Sequence, residues 1–413
     1  MYKGSITMDK KLWENFSYLT VIQVLLVAMP LFYYPYVVRI LGTDGYGEVV
    51  LSQAIVGFFS IFINFGFTIS ATKSVSINRN DNVKLSEIFS YVFYSKLTFL
   101  IVSCFILFII LSVFGNLGVD NKLLYIAFIT CISDVFLIQW FYQGMEKMRL
   151  VALSNLFAKF FSLILIFLLI KDAGDGDTLL YILSLSLIFS NLVMFLYPFL
   201  KYNIRLTPFE CSKVFETIKE SSLFFTSRVS VVFIEKLNIT LLGAYTNTHF
   251  VSVYDLANKF VSLIQLPINM LNQALYPRIS NTKNIKLVLK VIKYCLIIAI
   301  PVGIFIYWAI PYIIELYAGG EFLDSAVVFY ILGFNVIINI ISHFFGNCIL
   351  VVMGYAKEFN YSILYSSLLY ALLLSLFIFS HIFDVYISAS LIVFFNFSVM
   401  SFRLLFASKA KIF

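Results

Sequence analysis

The chain has 413 residues, of which 61% are hydrophobic and 12% are charged, with 29 lysines and arginines against 22 acidic residues. An ordinary soluble domain is about 45–50% apolar and about 25% charged, so this composition excludes a water-soluble globule. The apolar residues stand in continuous runs of about 18 or more and not in alternating segments of about ten, which argues against an outer-membrane barrel and predicts an all-α integral membrane protein.

The apolar content also sets the number of predicted spans. A transmembrane helix needs about 20 apolar residues, so the chain has enough of them for about 12 transmembrane helices. In chain order, the apolar runs predict spans near residues 16–38, 48–70, 86–114, 121–143, 150–170, 178–200, 219–244, 250–274, 291–316, 324–350, 359–380 and 384–407.

The longest polar break, residues 201–218, divides these spans into two equal sets. We expect an N-terminal six-helix lobe over 1–200 and a C-terminal six-helix lobe over 219–413, arranged around a central cavity. Within the break, the order Thr207-Pro208-Phe209-Glu210 is typical of a capping box and predicts a short interfacial helix in a cytoplasmic linker.

Positive charge is distributed unevenly between the two ends of the predicted spans. Nearly all loop lysines and arginines fall on one side, and only Arg39, Lys122 and Lys171 fall on the other. The positive-inside rule therefore predicts that both termini are cytoplasmic and that the number of spans is even. The net charge of +7 then follows from topology and anionic lipid headgroups, so no nucleic-acid partner is needed. A weak repeat of Leu41-Gly42 at Leu242-Gly243 supports two like-oriented halves, as in transporters.

Polar residues repeat on one face of several spans. The eighth span carries the longest such stripe, with charges of both signs at the helical period. Its members are Asp255, Asn258, Lys259, Ser262, Gln265, Asn269, Asn272 and Gln273. Stripes on the second, seventh and tenth spans contain Gln53, Ser60, Asn64 and Thr68; Ser221, Arg228, Glu235 and Asn238; and Asn335, Asn339, Ser342, His343 and Asn347. Such groups join helices by hydrogen bonds in many membrane bundles, but several stripes together favour a polar central cavity.

Charged residues inside spans are costly, at about 2.5–3.5 kcal/mol each near the centre, so they usually mark a pathway. Two interpretations stay open for the pairs Asp255 with Lys259 and Arg228 with Glu235: each pair only neutralises itself, or it opens for a substrate or a proton. Lys96 and Lys159 are expected to extend toward the headgroups.

The sequence gives no sign of a metal or cofactor site. The five cysteines have no paired spacing and read as small core residues, and the three histidines have no metal-ligand spacing. No extramembrane loop is long enough to form a domain. We therefore expect no cofactor, no metal and no enzymatic activity.

Several segments resemble the polysaccharide flippases of the Wzx type, which belong to the superfamily that also includes multidrug exporters and the lipid II flippase. The resemblance covers the chain end to end. The segments that carry it are Pro35-Tyr36-Val37-Val38-Arg39-Ile40-Leu41-Gly42 through Gly45-Tyr46-Gly47, Asn64-Phe65-Gly66-Phe67 with Ser70-Ala71-Thr72, Trp140-Phe141-Tyr142-Gln143-Gly144-Met145-Glu146-Lys147-Met148, and Tyr276-Pro277-Arg278-Ile279-Ser280.

This resemblance implies export of an undecaprenyl-diphosphate-linked oligosaccharide across the bacterial cytoplasmic membrane, for O-antigen or a related surface polysaccharide. A diphosphate needs fixed cations, and the candidates are Arg228, Lys236 and Lys259. Sugar hydroxyls would contact the amide residues, and a polyprenyl tail would need a lipid-facing slot. The amide candidates are Asn64, Gln53, Asn258, Gln265, Asn269, Asn335 and Asn339.

The resemblance leaves coupling and partners open. Glu235 and Asp255 are the candidates for coupling to an ion, and outward movement of a dianion along an inside-negative potential is the simpler alternative. Polymerase and chain-length proteins of the same pathway are the expected protein partners. A drug/cation antiporter of the same fold would favour an anionic cavity, and a multi-span glycan polymerase would need a sizeable external loop, so both are weaker alternatives.

Overall fold

The computed structural model describes the backbone of residues 10–115 and 117–410, and the side chains in that range except for those of 10–28, 31, 114, 223–230 and 277. Over these residues the chain is all-helical, without a β-strand. The predicted all-α membrane class is confirmed.

Seven helices form the first half of the chain: α1 (Lys10–Asn64), α2 (Phe67–Ile77), α3 (Asn82–Phe114), α4 (Asn121–Phe136), α5 (Gln139–Gly144), α6 (Met148–Leu169) and α7 (Gly176–Lys201). The second half contains α8 (Cys211–Tyr245), α9 (Thr248–Thr282), α10 (Ile285–Ala318), a 3₁₀ turn (Gly320–Phe322), α11 (Asp324–Leu332), α12 (Phe334–His343), a π-helix (Phe344–Val351), α13 (Ala356–Phe379) and α14 (Val385–Lys409).

Nine helical segments within the described residues are long and apolar enough to cross a membrane. They are Phe32–Ile77, Asn82–Val113, Asn121–Gly144, Met148–Leu169, Gly176–Lys201, Ile285–Ala318, Gly320–Val351, Ala356–Phe379 and Val385–Lys409. α8 and α9 are each 35 residues long, which also suffices for a crossing. Their charged residues set them apart, and these helices carry the two charged stripes predicted from the sequence.

Short polar side chains fix where several of the helices begin. An Asp or Asn immediately before the helix accepts a hydrogen bond from a backbone N–H of its first turn, which would otherwise lack a partner. These residues are Asp81 before α3, Asp120 before α4, Asn247 before α9, Asn284 before α10 and Asp384 before α14.

A glycine replaces the loop that we expected between the first two spans. α1 continues through this region and changes direction at Gly42, where φ is 68° and ψ is −177°. An L-residue with a side chain rarely adopts this φ, whereas glycine adopts it freely. A second break follows at Phe65 and Gly66, which also have positive φ and separate α1 from α2.

The helix start predicted from the capping box at Thr207–Glu210 is wrong, because residues 203–210 contain no helix; the helical part of the linker is the beginning of α8, which starts at Cys211. The backbone of this segment is instead bonded to α3. The Thr207 N–H donates to Ser90 Oγ at 2.9 Å, and Tyr94 Oη donates to the Thr207 carbonyl at 2.8 Å. Partners on α3 therefore satisfy groups that a helical turn would have satisfied.

The chain forms two compact units. Among the described residues, the first unit contains 10–41 together with 56–225, and the second contains 42–55 together with 226–410. The division within α8 falls after Phe225 and not in the polar break at 201–218, because the start of α8 packs in the first unit, where Ser221 Oγ and Ser70 Oγ lie 2.7 Å apart.

Each unit has its own apolar core. In the first, Phe89 packs on Phe141, Phe195 and Phe199, with ring centroids 5.1–5.8 Å apart. In the second, the core lies among α9, α10, the π-helix and α14, and its most buried members include Ile279, Val288, Phe344, Ile349 and Ala407.

Candidate functional site

The first unit contains a buried ammonium group. The Lys96 side chain projects from α3, and the residue is only 2% exposed. Its Nζ donates to Asn64 Oδ1 at 3.0 Å and to the carbonyl oxygens of Asp134 and Leu137 at 3.0 and 2.8 Å. Lys96 therefore does not extend to the headgroups, and that prediction is wrong.

The break between α4 and α5 explains why the ammonium binds here. α4 ends at Phe136 and α5 begins at Gln139, inside a segment long and apolar enough to cross the membrane. The last carbonyls of a helix lack intrahelical partners and carry partial negative charge, so a cation is stabilised at this end. Lys96 acts as the cap of α4 within the apolar interior.

Asn64 connects this ammonium to a carboxyl group. Its Nδ2 donates to Asp134 Oδ1 at 3.0 Å and to the Ser60 carbonyl at 3.0 Å, while its Oδ1 accepts from Lys96. The second oxygen of Asp134, Oδ2, is buried and has no hydrogen-bond partner among the described residues. The candidate Asn64 thus lies at the centre of a cluster with Lys96 and Asp134, which we call the buried amine cluster.

A second charged cluster lies in the second unit and contains two of the predicted candidates. Asp255 and Lys259, one turn apart on α9, form an ion pair, and Tyr46 from α1 joins both. Tyr46 Oη donates to Asp255 Oδ2 at 2.6 Å, and the Lys259 ammonium lies 5.0 Å from the centre of the Tyr46 ring. We call these three residues the tyrosine-capped pair.

A close backbone approach holds Tyr46 in place. A Cβ atom on Gly47 would lie 1.9 Å from the Thr248 carbonyl oxygen, so only glycine fits where α1 passes the start of α9. Thr248 Oγ1 also donates to Asp44 Oδ1 at 3.0 Å. Tyr46 was not among the predicted site residues, although it lies in the Gly45-Tyr46-Gly47 segment, which is one of those that carry the family resemblance.

Several amide residues of the stripes form hydrogen bonds between helices. Asn269 Oδ1 lies 3.1 Å from His343 Nδ1, and Asn335 Oδ1 accepts from Asn396 Nδ2 at 3.1 Å. One turn further along α9, Asn272 Oδ1 accepts from Asn347 Nδ2 at 3.1 Å. The contacts of Asn269 and Asn272 join α9 to the tenth span, and the contact of Asn335 joins the tenth span to α14, as hydrogen bonds between membrane helices commonly do.

The remaining candidates differ in exposure. Gln53 is exposed, and Asn258, Gln265 and Asn339 are partly buried. On α8, Glu235 is exposed and Lys236 is partly buried. The side chain of Arg228 lies outside the described residues, so its pairing with Glu235 stays a prediction.

A buried guanidinium group is a feature that the sequence interpretation missed. Arg403 on α14 is 6% exposed, and its Nη1 donates to the carbonyl and hydroxyl oxygens of Ser342 at 2.8 and 2.9 Å. Its guanidinium also lies 4.5 Å from the centre of the Phe359 ring. Its position inside the apolar run 385–409, well before Lys409, was the available signal.

The second unit also contains an apolar cavity of about 600 Å³. Residues of α9, α10, α11 and α12 line it, among them Pro267, Leu271, Gly303, Tyr307 and Phe334. Within the described residues, no group of three His, Cys, Asp or Glu side chains is placed to hold a metal ion.

Comparison with known sequences identifies relatives of this chain. Residues 12–283 match a family described as "Polysaccharide biosynthesis protein". Two relatives, both named "Putative O-antigen transporter", come from Escherichia coli (strain K12) and Shigella dysenteriae. The first is 21% identical over 374 residues, which cover 89% of this chain and 90% of the relative. The second is 25% identical over 310 residues, which cover 72% and 76%.

Solved structures of transporters share the fold. The inward closed conformation of the lipid II flippase MurJ matches with a TM-score of 0.78 at 14% identity, covering 94% of this chain and 87% of that one. The inward-facing conformation of a multidrug resistance MATE family transporter of the MOP superfamily matches with a TM-score of 0.72 at 13% identity, covering 95% and 98%. The fold is therefore that of membrane transporters built from two helical lobes.

Proposed function

Because the chain belongs to the polysaccharide biosynthesis protein family, we propose that it is a flippase for a lipid-linked oligosaccharide. The substrate is an undecaprenyl-diphosphate-linked repeat unit, which moves from the cytoplasmic to the periplasmic leaflet by alternating access. The product then serves the assembly of O-antigen or a related surface polysaccharide. This function requires a bacterial inner-membrane location and no covalent chemistry by the protein.

The tyrosine-capped pair is the observation that carries this proposal. In an apolar chain, each charge inside a span is costly and is kept where it has a role. Lys259 is partly exposed, with 29% of its side chain accessible, and an ammonium group is suited to a diphosphate. Asp255 and Tyr46 hold the ammonium when no substrate is bound, so a diphosphate would compete with them for Lys259.

Other groups complete the proposed substrate contacts. Lys236 and Arg228 on α8 are further cations for the diphosphate, and the amide groups of Asn258 and Gln265 on α9 are suited to sugar hydroxyls. The apolar cavity beside α10 is suited to hydrocarbon. Export also has a simple driving force, because moving about two negative charges outward along an inside-negative potential of about 100 mV releases about 4–5 kcal/mol.

The orientation that this function needs has both termini in the cytoplasm. Under this orientation, reporter fusions at Asn203 and Asn281 read cytoplasmic, and a fusion at Asp175 reads periplasmic. The excess of lysine and arginine on one side supports it. A periplasmic reading at Asn281 would contradict the arrangement of the second half.

The proposal is tested in cells that lack their own flippase and depend on this chain for surface glycan. Lys259→Ala should reduce surface glycan at least about tenfold and leave lipid-linked oligosaccharide in the cytoplasmic leaflet, because the diphosphate loses its cation. The matched control is Lys73→Ala on the exposed face of α2, which should export normally. Both proteins are first shown to be inserted at equal amounts.

The double variant Asp255→Asn with Lys259→Gln separates a substrate role from mutual neutralisation. If the two charges only neutralise each other, the uncharged pair restores export that Lys259→Ala abolishes. If Lys259 binds substrate, the double variant stays inactive although inserted. Restored export in the double variant, or extrusion of cationic dyes with no effect on glycan, would contradict the proposed function.

A further inference from the structure

The buried amine cluster holds an ammonium and a carboxyl group that do not pair with each other. Lys96 Nζ has three hydrogen-bond acceptors, which matches its three N–H donors, and all three acceptors are neutral oxygens. No carboxylate oxygen of the described residues lies within the 4.0 Å that defines an ion pair with this nitrogen. The carboxyl group of Asp134 is bonded on the same central residue, Asn64.

This arrangement is informative because opposite charges attract strongly in an apolar interior. An ionised Asp134 would draw the neighbouring ammonium into direct contact, and its oxygens would take several donors. In the structure, Oδ1 has the Asn64 amide donor and Oδ2 has no partner among the described residues. A neutral carboxyl group tolerates that environment far better than a carboxylate, since an unpaired buried charge is much costlier than an unpaired hydroxyl.

We propose that Asp134 is a proton-binding site and that its proton determines where the Lys96 ammonium sits. With the proton bound, the ammonium caps the carbonyls of Asp134 and Leu137 at the α4–α5 break, as in this structure. When the proton leaves, the carboxylate attracts the ammonium, and the two carbonyls lose their cap. One proton is released, and the charge of the cluster falls from +1 to 0.

Exposure and surroundings support a site that exchanges protons. Asp134 and Asn64 are partly exposed, whereas Lys96 is almost fully buried behind them. Among the described side chains around the carboxyl group, the other titratable ones are Lys96 on α3 and Cys131 on α4, whose Sγ lies 3.9 Å from Ser60 Oγ. The nearby groups of α1 are Ser60 and Asn64, which do not titrate.

A role of this proton in driving export rests on the proposed function, whereas binding of the proton does not. In that role, proton uptake and release at Asp134 would alternate with movement of the lipid-linked substrate. The residues concerned differ from Glu235 and Asp255, the two acidic residues that the sequence suggested for coupling. Asp134 differs from Asp255, which is ion-paired with Lys259, because its neighbouring ammonium is bound to neutral oxygens and not to the carboxyl group.

Infrared titration of the full-length protein in lipid nanodiscs, with no glycan present, tests the site directly. Every protonated carboxylic acid absorbs in the C=O region, so the site is identified from the difference between the spectra of two proteins. The wild type should show one C=O component that Asp134→Asn lacks, and this component should disappear as the pH is raised. Glu235→Gln, which removes an exposed acid on α8, should keep that component. An unchanged absorption in Asp134→Asn would overturn the proposal.

Two further variants guard against a folding defect in Asp134→Asn. Asp134→Glu keeps the acid and should move the absorption to a different frequency, so an unmoved absorption would overturn the assignment. Lys96→Gln removes the charge nearest to the carboxyl group and should change the pH dependence of the absorption. Identical pH dependence in Lys96→Gln and wild type would show that the ammonium does not respond to the proton.

Coupling is tested separately from proton binding. In membrane vesicles, glycan export by the wild type should change when a pH gradient is imposed. Glycan export by Asp134→Asn should not change with the gradient. If wild-type vesicles export no glycan but the infrared absorption is present, the proposed function fails and the proton site stands. If glycan is exported and the absorption is absent, the proton site fails alone.

Discussion

The close approach of α1 and α9 at Gly47 makes a sharp prediction about a single methyl group. In Gly47→Ala, the added carbon would lie 1.9 Å from the Thr248 carbonyl oxygen, a contact that must open to at least 3.0 Å. The obstructing atoms are backbone, so no rotamer change relieves them. Separating the helices by this amount would stretch the 2.6 Å hydrogen bond from Tyr46 to Asp255 beyond hydrogen-bond range.

The expected cost follows from these contacts. Overpacking costs about 1–3 kcal/mol, and loss of a hydrogen bond to a charged group costs about 1.5–3 kcal/mol. Alanine regains about 1 kcal/mol in helix propensity. The net loss of unfolding free energy is therefore about 1.5–5 kcal/mol, measurable as a lower melting temperature of the purified protein.

A second glycine on a helix, Gly303, serves as the control that measures the gain in helix propensity without a steric clash. Gly303 on α10 has nothing within 4 Å of an added Cβ, so Gly303→Ala should leave the melting temperature unchanged or raise it. Gly47→Ala should also reduce export, because Tyr46 no longer reaches Asp255 and Lys259. A Gly47→Ala protein as stable as Gly303→Ala would refute the close approach and the geometry of the tyrosine-capped pair.

Three further predictions concern single side chains. Lys96→Met should lower the unfolding free energy by about 2–5 kcal/mol, because three buried oxygens each lose a hydrogen bond worth about 0.6–1.7 kcal/mol. Lys73→Met, at an exposed site, should change the unfolding free energy by at most about 0.5 kcal/mol. Equal melting temperatures of these two variants would contradict the burial of Lys96. Arg403→Lys should cost about 1–3 kcal/mol in the same melting experiment, because lysine cannot reproduce the guanidinium fork that reaches Ser342, and an unchanged melting temperature would contradict that contact. The backbone N–H groups of Lys171 and Asp172 donate to the Asp175 carboxylate and hold the pKa of that carboxyl below its usual value. Hydrogen exchange at these two N–H groups should therefore be slow above about pH 4 and should accelerate as the pH falls through the lowered pKa. Asp175→Asn should remove that pH dependence.

The apolar runs were sufficient to predict the helical spans because continuous hydrophobicity is a local property of the sequence. Each predicted span from 86–114 onward lies mainly within a helix or a consecutive set of helices of the structure. The fate of single charges was harder to predict. Lys96 and Arg403 both lie inside apolar runs, and their burial depends on carbonyls that become available only where another helix breaks or widens.

In the candidate site too, the contacts within one helix could be predicted from the sequence, whereas the contacts with distant residues could not. The helical period placed Asp255 and Lys259 on one face of α9, and the structure has them paired. The period of α9 could not indicate Tyr46, which lies more than 200 residues away in sequence. Likewise, a capping pattern predicted that a helix begins at 207–210, but hydroxyl groups of α3 form hydrogen bonds with that backbone instead.

The π-helix Phe344–Val351 has an evolutionary consequence. A π-helical turn contains one residue more than the corresponding α-helical turn. In this π-helix, Gly346 faces the Arg403 guanidinium, and a Cβ atom added to Gly346 would lie 2.8 Å from Arg403 Cζ. Deleting one residue from this turn would rotate the helix that follows by about 100° and close the space for the guanidinium. In related chains, the extra residue, the glycine and the arginine should therefore be gained or lost together, and their covariation across an alignment would record that insertion.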